Sequence, residues 1–112
     1  MRGIIISMNE GHTAELLHGN VAVLVLKVLS HGPRHAYGIK RELYEQTAGY
    51  LGLAEGRLYP LLQQLEKRGL VSGAAGVSHT GRRVREYRIR QAGRVELAAQ
   101  LKAWELFVDK VN

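Results

Sequence analysis

The stretch Glu55-Gly56-Arg57-Leu58-Tyr59-Pro60-Leu61-Leu62-Gln63-Gln64-Leu65-Glu66-Lys67-Arg68-Gly69-Leu70-Val71 decides the fold. Leu58, Leu61, Leu62 and Leu65 recur at the spacing that brings side chains onto one face of an α-helix, while Arg57, Gln63, Gln64, Lys67 and Arg68 fall elsewhere on its surface. The pattern predicts a helix from about Ala54 that packs along one side and leaves the rest free to touch a partner. Gly69 is placed to end it in the left-handed conformation, after two cations that suit the negative end of the helix dipole. Pro60 costs one backbone hydrogen bond and is tolerated only in or near the first turns, and Ala54 is a poor N-cap. Val71 then opens a strand directly after the glycine.

Working toward the N-terminus, Arg34 to Thr47 carries Tyr37, Ile39, Leu43 and Tyr44 among Lys40, Arg41, Glu42 and Glu45, a shorter amphipathic helix broken by Gly49 to Gly52. Before it, Thr13 to Ser30 reads as a helix with a seam of Leu17, Val21, Leu24 and Val28, widened by Ala22, Val25, Leu26 and Leu29. A helix apolar over so much of its circumference is expected to be buried, against its own domain and a second subunit. His31-Gly32-Pro33 stops it. Residues 1 to 7 read as an extension ahead of Met8, and no function is assigned to them.

Toward the C-terminus, Ser72 to Gly81 is punctuated by Gly73, Gly76 and Gly81 and reads as a loop. Val84 to Arg90 returns as a strand by its alternation, with Tyr87 and Ile89 on one face and Arg88 and Arg90 on the other. The two strands form a hairpin with a long basic tip. From Ala92 the chain is helical again, and Leu97, Leu101, Trp104, Val108 and Val111 make a heptad seam. The chain is therefore expected to be mainly α with a small β-hairpin, in the order α-α-α-β-β-α. Three helices followed by a hairpin is the winged helix-turn-helix arrangement. It divides into residues 10–91, the winged unit, and residues 92–112, a helix for dimerisation.

Composition limits the function. A chain of 112 residues fits one small domain that gains from a partner subunit. Its formal charge of +6, from 16 Lys and Arg against 10 Asp and Glu, favours a polyanionic partner. Without cysteine there are no disulfides and no thiolate metal sites. Neither Ile4 to Ile6 nor Val21 to Leu29 is long enough to cross a bilayer, so a cytoplasmic protein with no membrane role is expected. His12, His18, His31, His35 and His79 show no ligand spacing, so neither a metal nor another cofactor is expected. No nucleophile stands with a base, and Gly73 to Gly81 lacks the lysine and hydroxyl order of a phosphate-cradling loop, which argues against an enzyme.

Several separated motifs narrow the reading. Leu16-Leu17-His18-Gly19-Asn20-Val21 through Ala36-Tyr37-Gly38 resembles the start of the PadR-family transcriptional regulators. Glu55 to Pro60 with Leu65 to Val71 resembles the family too, as does Gly81-Arg82-Arg83 leading to Glu86-Tyr87-Arg88-Ile89 and Ala92-Gly93. The likeness runs from residue 15 onward, and the short single helix at the end resembles the compact subfamily. The chain departs from the family pattern at Ala36, Arg57 and Gln91, where glycine, a small hydroxyl residue and threonine are usual. The resemblance implies a cytoplasmic homodimer that binds double-stranded operator DNA, usually as a repressor, and is released by a small molecule or other signal.

On this reading the Glu55 helix enters the major groove, whose width accepts one helix. Arg57 is the candidate base reader, because arginine bonds guanine through two hydrogen bonds, and Tyr59, Gln63 and Gln64 suit phosphates, thymine methyls or adenine. Arg82, Arg83, Arg85, Arg88, Arg90 and Arg94 fall within thirteen residues holding one acid, Glu86, an excess of one sign that suits phosphate contact better than simple solubility. Arg82 and Arg83 lead this group, with Lys40 and Arg41 as further backbone clamps. Tyr37 is equally suited to a phosphate or to helix packing, and of the two tyrosines only Tyr59 is expected on DNA. The dimer seam is expected to use Leu17, Val21, Leu24 and Val28 with Leu97, Leu101, Trp104, Val108 and Val111. Paired Trp104 side chains could also line a cleft for a flat aromatic effector. A protein-interaction module without a specific DNA target and a sequence-blind packaging protein are the other readings.

Overall fold

In a computed structural model the described residues are 21–47, 49 and 55–111, with side chains throughout these except at Glu55 and residues 104–111. They form α1 (Val21–Leu29), β1 (Arg34–His35), α2 (Ala36–Gln46), α3 (Glu55–Lys67), β2 (Val71–Val77), β3 (Arg83–Ile89) and α4 (Gln91–Val111). The three strands make one antiparallel sheet in the order β1-β3-β2.

The core collects one stripe from each helix. Val25, Leu26, Val28 and Leu29 of α1 meet Ile39 and Leu43 of α2, Leu58, Leu62 and Leu65 of α3 and Leu97 of α4, with Tyr87 closing the core from the sheet. The α3 stripe is the one read from the leucine spacing, Leu61 being its half-buried margin. Val28 and Leu97, expected in the dimer seam, lie instead in the protomer's own core, at 0% and 7% exposure. Leu17 and the predicted start of the first helix lie outside the described residues, as does Ala54.

Helix ends follow the local chemistry. The Ser30 hydroxyl donates to the Lys27 carbonyl at 2.5 Å and closes α1. The Thr47 hydroxyl donates to the Leu43 carbonyl at 2.7 Å, and the Gly49 N–H reaches back to the Tyr44 carbonyl at 2.8 Å to finish α2. At the end of α3, Leu70 N–H bonds the Leu65 carbonyl at 3.0 Å and Gly69 N–H bonds that of Glu66 at 2.9 Å. This is the Schellman pattern, and Gly69 supplies the φ of +75° it requires.

Two expectations are corrected. Arg34 and His35 do not begin a helix; they pair with Tyr87 and Glu86 as a short strand, and the helix starts at Ala36. Pro33 cannot donate a backbone hydrogen bond, and β3 offers the extended residues after it a ladder. The loop expected over Ser72 to Gly81 is also mostly strand. Val71 to Val77 pair residue for residue with Ile89 to Arg83, because a partner strand stabilises extended backbone even where the side chains are too small to favour it. Only Ser78 to Arg82 form the tip, closed by Ser78 N–H to the Arg82 carbonyl and Gly81 N–H to the Ser78 carbonyl, both 2.9 Å. Gly81, at φ +83°, makes the turn possible. No helix among the described residues is long and apolar enough to cross a membrane.

Candidate nucleic-acid interface

The packing of α3 determines what it exposes. With Leu58, Leu62 and Leu65 turned inward, Arg57, Tyr59, Gln63, Gln64 and Lys67 are all exposed, and no ion pair joins Arg57 to another described residue. An exposed arginine in the first turn of such a helix, with no carboxylate partner among the described residues, keeps its guanidinium available to a base edge.

The hairpin brings Arg82 and Arg83 back toward the start of α2 and the face of α3. Together with His35, Tyr37, Tyr59 and Arg85 they line a cleft of about 400 Å³. Arg82 and Arg83 are exposed and have no ion-pair partner among the described residues. The α2 N-terminus also faces this space through Ala36, and its N-cap, His35, makes no side-chain cap hydrogen bond. His35 Nδ1 is buried without a hydrogen-bond partner among the described residues. Two guanidinium groups, two phenol hydroxyls and the positive end of a helix converge, a combination suited to phosphate oxygens.

Tyr37 belongs to this cleft, although its sequence context suits packing as well as DNA contact. It is 65% exposed, so it is not a packing residue. The reading of α2 joined Tyr37 to Ile39 and Leu43, but the buried stripe is Ala36, Ile39 and Leu43, and Tyr37 sits one position round from it. Ala36 was the available signal: a small residue three before Ile39 and seven before Leu43 completes an apolar face without any tyrosine.

The expected clamps on α2 lie outside the cleft lining. Lys40 is half-buried, and Arg41 is exposed and bonded to Glu45 at 3.3 Å, an exposed helical pair that can open at little cost. The wing arginines also divide. Arg88 bonds Glu86 at 3.1 Å, and Arg85 bonds Glu66 of α3 at 2.9 Å. The hydrogen bond and charge of Glu66 raise the Arg85 pKa further. Tyr87 beneath it has its phenol pushed up by burial, against the opposing charge of Arg85. No cluster of metal-ligating side chains occurs among the described residues.

These features have relatives of known fold. A family model described as the transcriptional regulator PadR-like family matches residues 25–99. A crystal structure of a transcriptional regulator from Thermoplasma acidophilum is 29% identical with a TM-score of 0.73, the match covering 87% of this chain and 91% of that one. A PadR-like regulator from Bacillus cereus is 26% identical with a TM-score of 0.76, over 88% and 93% of the two chains. PadR of Bacillus subtilis, solved in complex with operator DNA, shares the fold at 21% identity and a TM-score of 0.65, over 72% of this chain and 47% of its own.

Proposed function

The chain belongs to the PadR-like family of transcriptional regulators, and on that premise we propose that it binds a specific operator as a homodimer and represses transcription until a signal releases it. α3 enters the major groove, Arg57 reads a base, and Tyr59, Gln63 and Gln64 flank it. Arg82 and Arg83 grip the adjoining backbone, with Tyr37 bonding a phosphate in the same cleft and Lys40 and Arg41 lying further along the backbone. The observation that carries this reading is the convergence of Tyr37, Tyr59, Arg82 and Arg83 from three elements on one cleft. The Bacillus subtilis PadR complex with operator DNA supports a nucleic-acid partner for this fold.

A two-fold dimer presents two α3 helices, so the operator is a palindrome with half-sites about one DNA turn, roughly 34 Å, apart. α4 packs against α1 and carries Val95 exposed at 60%, while Val21 and Leu24 of α1 remain half-open. These surfaces, continued by Leu101, Trp104, Val108 and Val111, supply the dimer contact. A flat aromatic effector stacking between paired Trp104 rings is the release signal that fits such an interface.

The decisive experiment is fluorescence anisotropy against DNA from upstream of the protein's own gene and against a shuffled duplex, at about 0.15 M salt with a salt titration. A preference of about a thousandfold, with two protomers per duplex, is expected. Equal, salt-sensitive binding to both would overturn the specific regulator and leave a protein-interaction or packaging role.

A further inference from the structure

Arg85 is one of six arginines between residues 82 and 94 in the sequence, yet its surroundings are unlike those of Arg82 and Arg83. Its guanidinium donates to the Glu66 carboxylate of α3 at 2.9 Å. It also lies close against Gly73 of β2, where an added Cβ would stand 2.6 Å from Nε and 3.1 Å from Cζ. Tyr87, two residues further along β3, is buried in the core and close enough for the arginine's charge to act on its phenol. The guanidinium is thus held by a carboxylate of α3 over a bare backbone face of β2.

The hairpin is already joined to α3 at one end, through Gly69 and Leu70. Farther out, from Gly73 to the tip, the Glu66 to Arg85 bond is its one hydrogen-bonded tie to α3 among the described residues. As a contribution to stability an exposed ion pair counts for little. As a spacer it counts for more, because a forked donor resting on a glycine shelf has few ways to reach its acceptor.

We infer that Glu66 and Arg85 form a strut that fixes the wing relative to the recognition helix, making Arg85 a positioning residue for sequence discrimination and not a phosphate contact. The inference rests on the DNA-binding reading above. Recognition requires base-reading side chains and backbone clamps to meet one duplex together, and a loosened wing weakens the matched site more than a random one.

The natural chain has no cysteine, so Lys67→Cys with Thr80→Cys takes a pair of spin labels at α3 and the wing tip of the full-length protein. Expected is one narrow distance distribution in the parent and a broadened one after either Glu66→Gln or Arg85→Gln. In anisotropy with the upstream and shuffled duplexes, both substitutions are expected to cut the preference roughly tenfold while leaving the salt slope unchanged. A phosphate-contacting Arg85 gives opposite signs. Arg85→Gln would then lower the salt slope by about 0.9, and Glu66→Gln, freeing the arginine, would tighten binding to both duplexes. That pattern, or unchanged label distances, overturns the strut. A parent protein with no preference between duplexes would instead defeat the regulator reading, while the label distances still decide whether the strut exists.

Discussion

Gly93 of α4 lies against the Leu70 carbonyl so closely that an added Cβ would run into that oxygen and stand 2.8 Å from Ile89 Cγ1. The carbonyl cannot easily retreat, because it accepts the Arg90 N–H at 2.9 Å and so ties the end of the hairpin to the end of α3. Gly93→Ala is therefore expected to destabilise the fold by about 2 kcal/mol despite alanine's better helix propensity. Thermal unfolding followed by circular dichroism checks this; an unchanged or raised midpoint would show that the joint gives way freely.

The glycines show how far the sequence could be read. Gly69 was legible as a helix end because it follows a leucine stripe and two cations, a purely local arrangement. Gly73 and Gly93 were not, because each is small for the sake of a group far away in the chain, the Arg85 guanidinium and the Leu70 carbonyl. Gly73 has the local context of loop punctuation, and the strand through it depends on β3, which lies beyond the turn. The same limit applies to the arginines. Composition shows an excess of positive charge, but only the three-dimensional arrangement separates Arg82 and Arg83, which face the cleft with no ion-pair partner among the described residues, from Arg85, which Glu66 has engaged.

Arg57 is exposed at the start of α3 with no ion-pair partner among the described residues, which suits a base contact. Arg57→Ala is expected to cost about 1–3 kcal/mol on the upstream duplex and to relax preference at one base pair per half-site. Affinity measured over a set of singly substituted duplexes locates that pair. Equal losses on specific and random DNA would reduce Arg57 to a phosphate contact.

Arg82→Ala combined with Arg83→Ala should weaken binding to every duplex alike. Two lost phosphate contacts lower the slope of log affinity against log salt by about 2 per protomer, with the ranking of sequences preserved. A salt titration of the double variant reads this directly, and a parental slope would place the wing tip off the DNA.

Tyr37 and Tyr44 are both exposed on α2, at 65% and 55%, but only Tyr37 lines the cleft with the two arginines. Tyr37→Phe should therefore weaken DNA binding roughly tenfold or more, the loss of one hydrogen bond to a charged group, while Tyr44→Phe changes nothing. Comparing the two on the same duplex controls for general effects of losing a surface hydroxyl. Matching behaviour would remove Tyr37 from the interface.

Leu97 belongs to the protomer's core and Leu101 packs against its margin, which fixes the first half of α4 to its own subunit. The helix nevertheless continues to Val111, and its second half carries Trp104 and Val108. Replacing both with glutamate should leave the thermal transition of the winged unit in place and halve the mass seen by sedimentation velocity at micromolar concentration. With half-sites engaged one at a time, cooperative binding to the palindrome should disappear as well. Because Trp104 is the one tryptophan in the chain, its emission in the parent protein also reports on the interface. Quenching by planar aromatic compounds, together with release of the duplex, would place the effector there; quenching without release would leave Trp104 a packing residue that such compounds reach without consequence. A variant that remains dimeric would move the subunit contact away from the second half of α4, toward Val21, Leu24 and Val95.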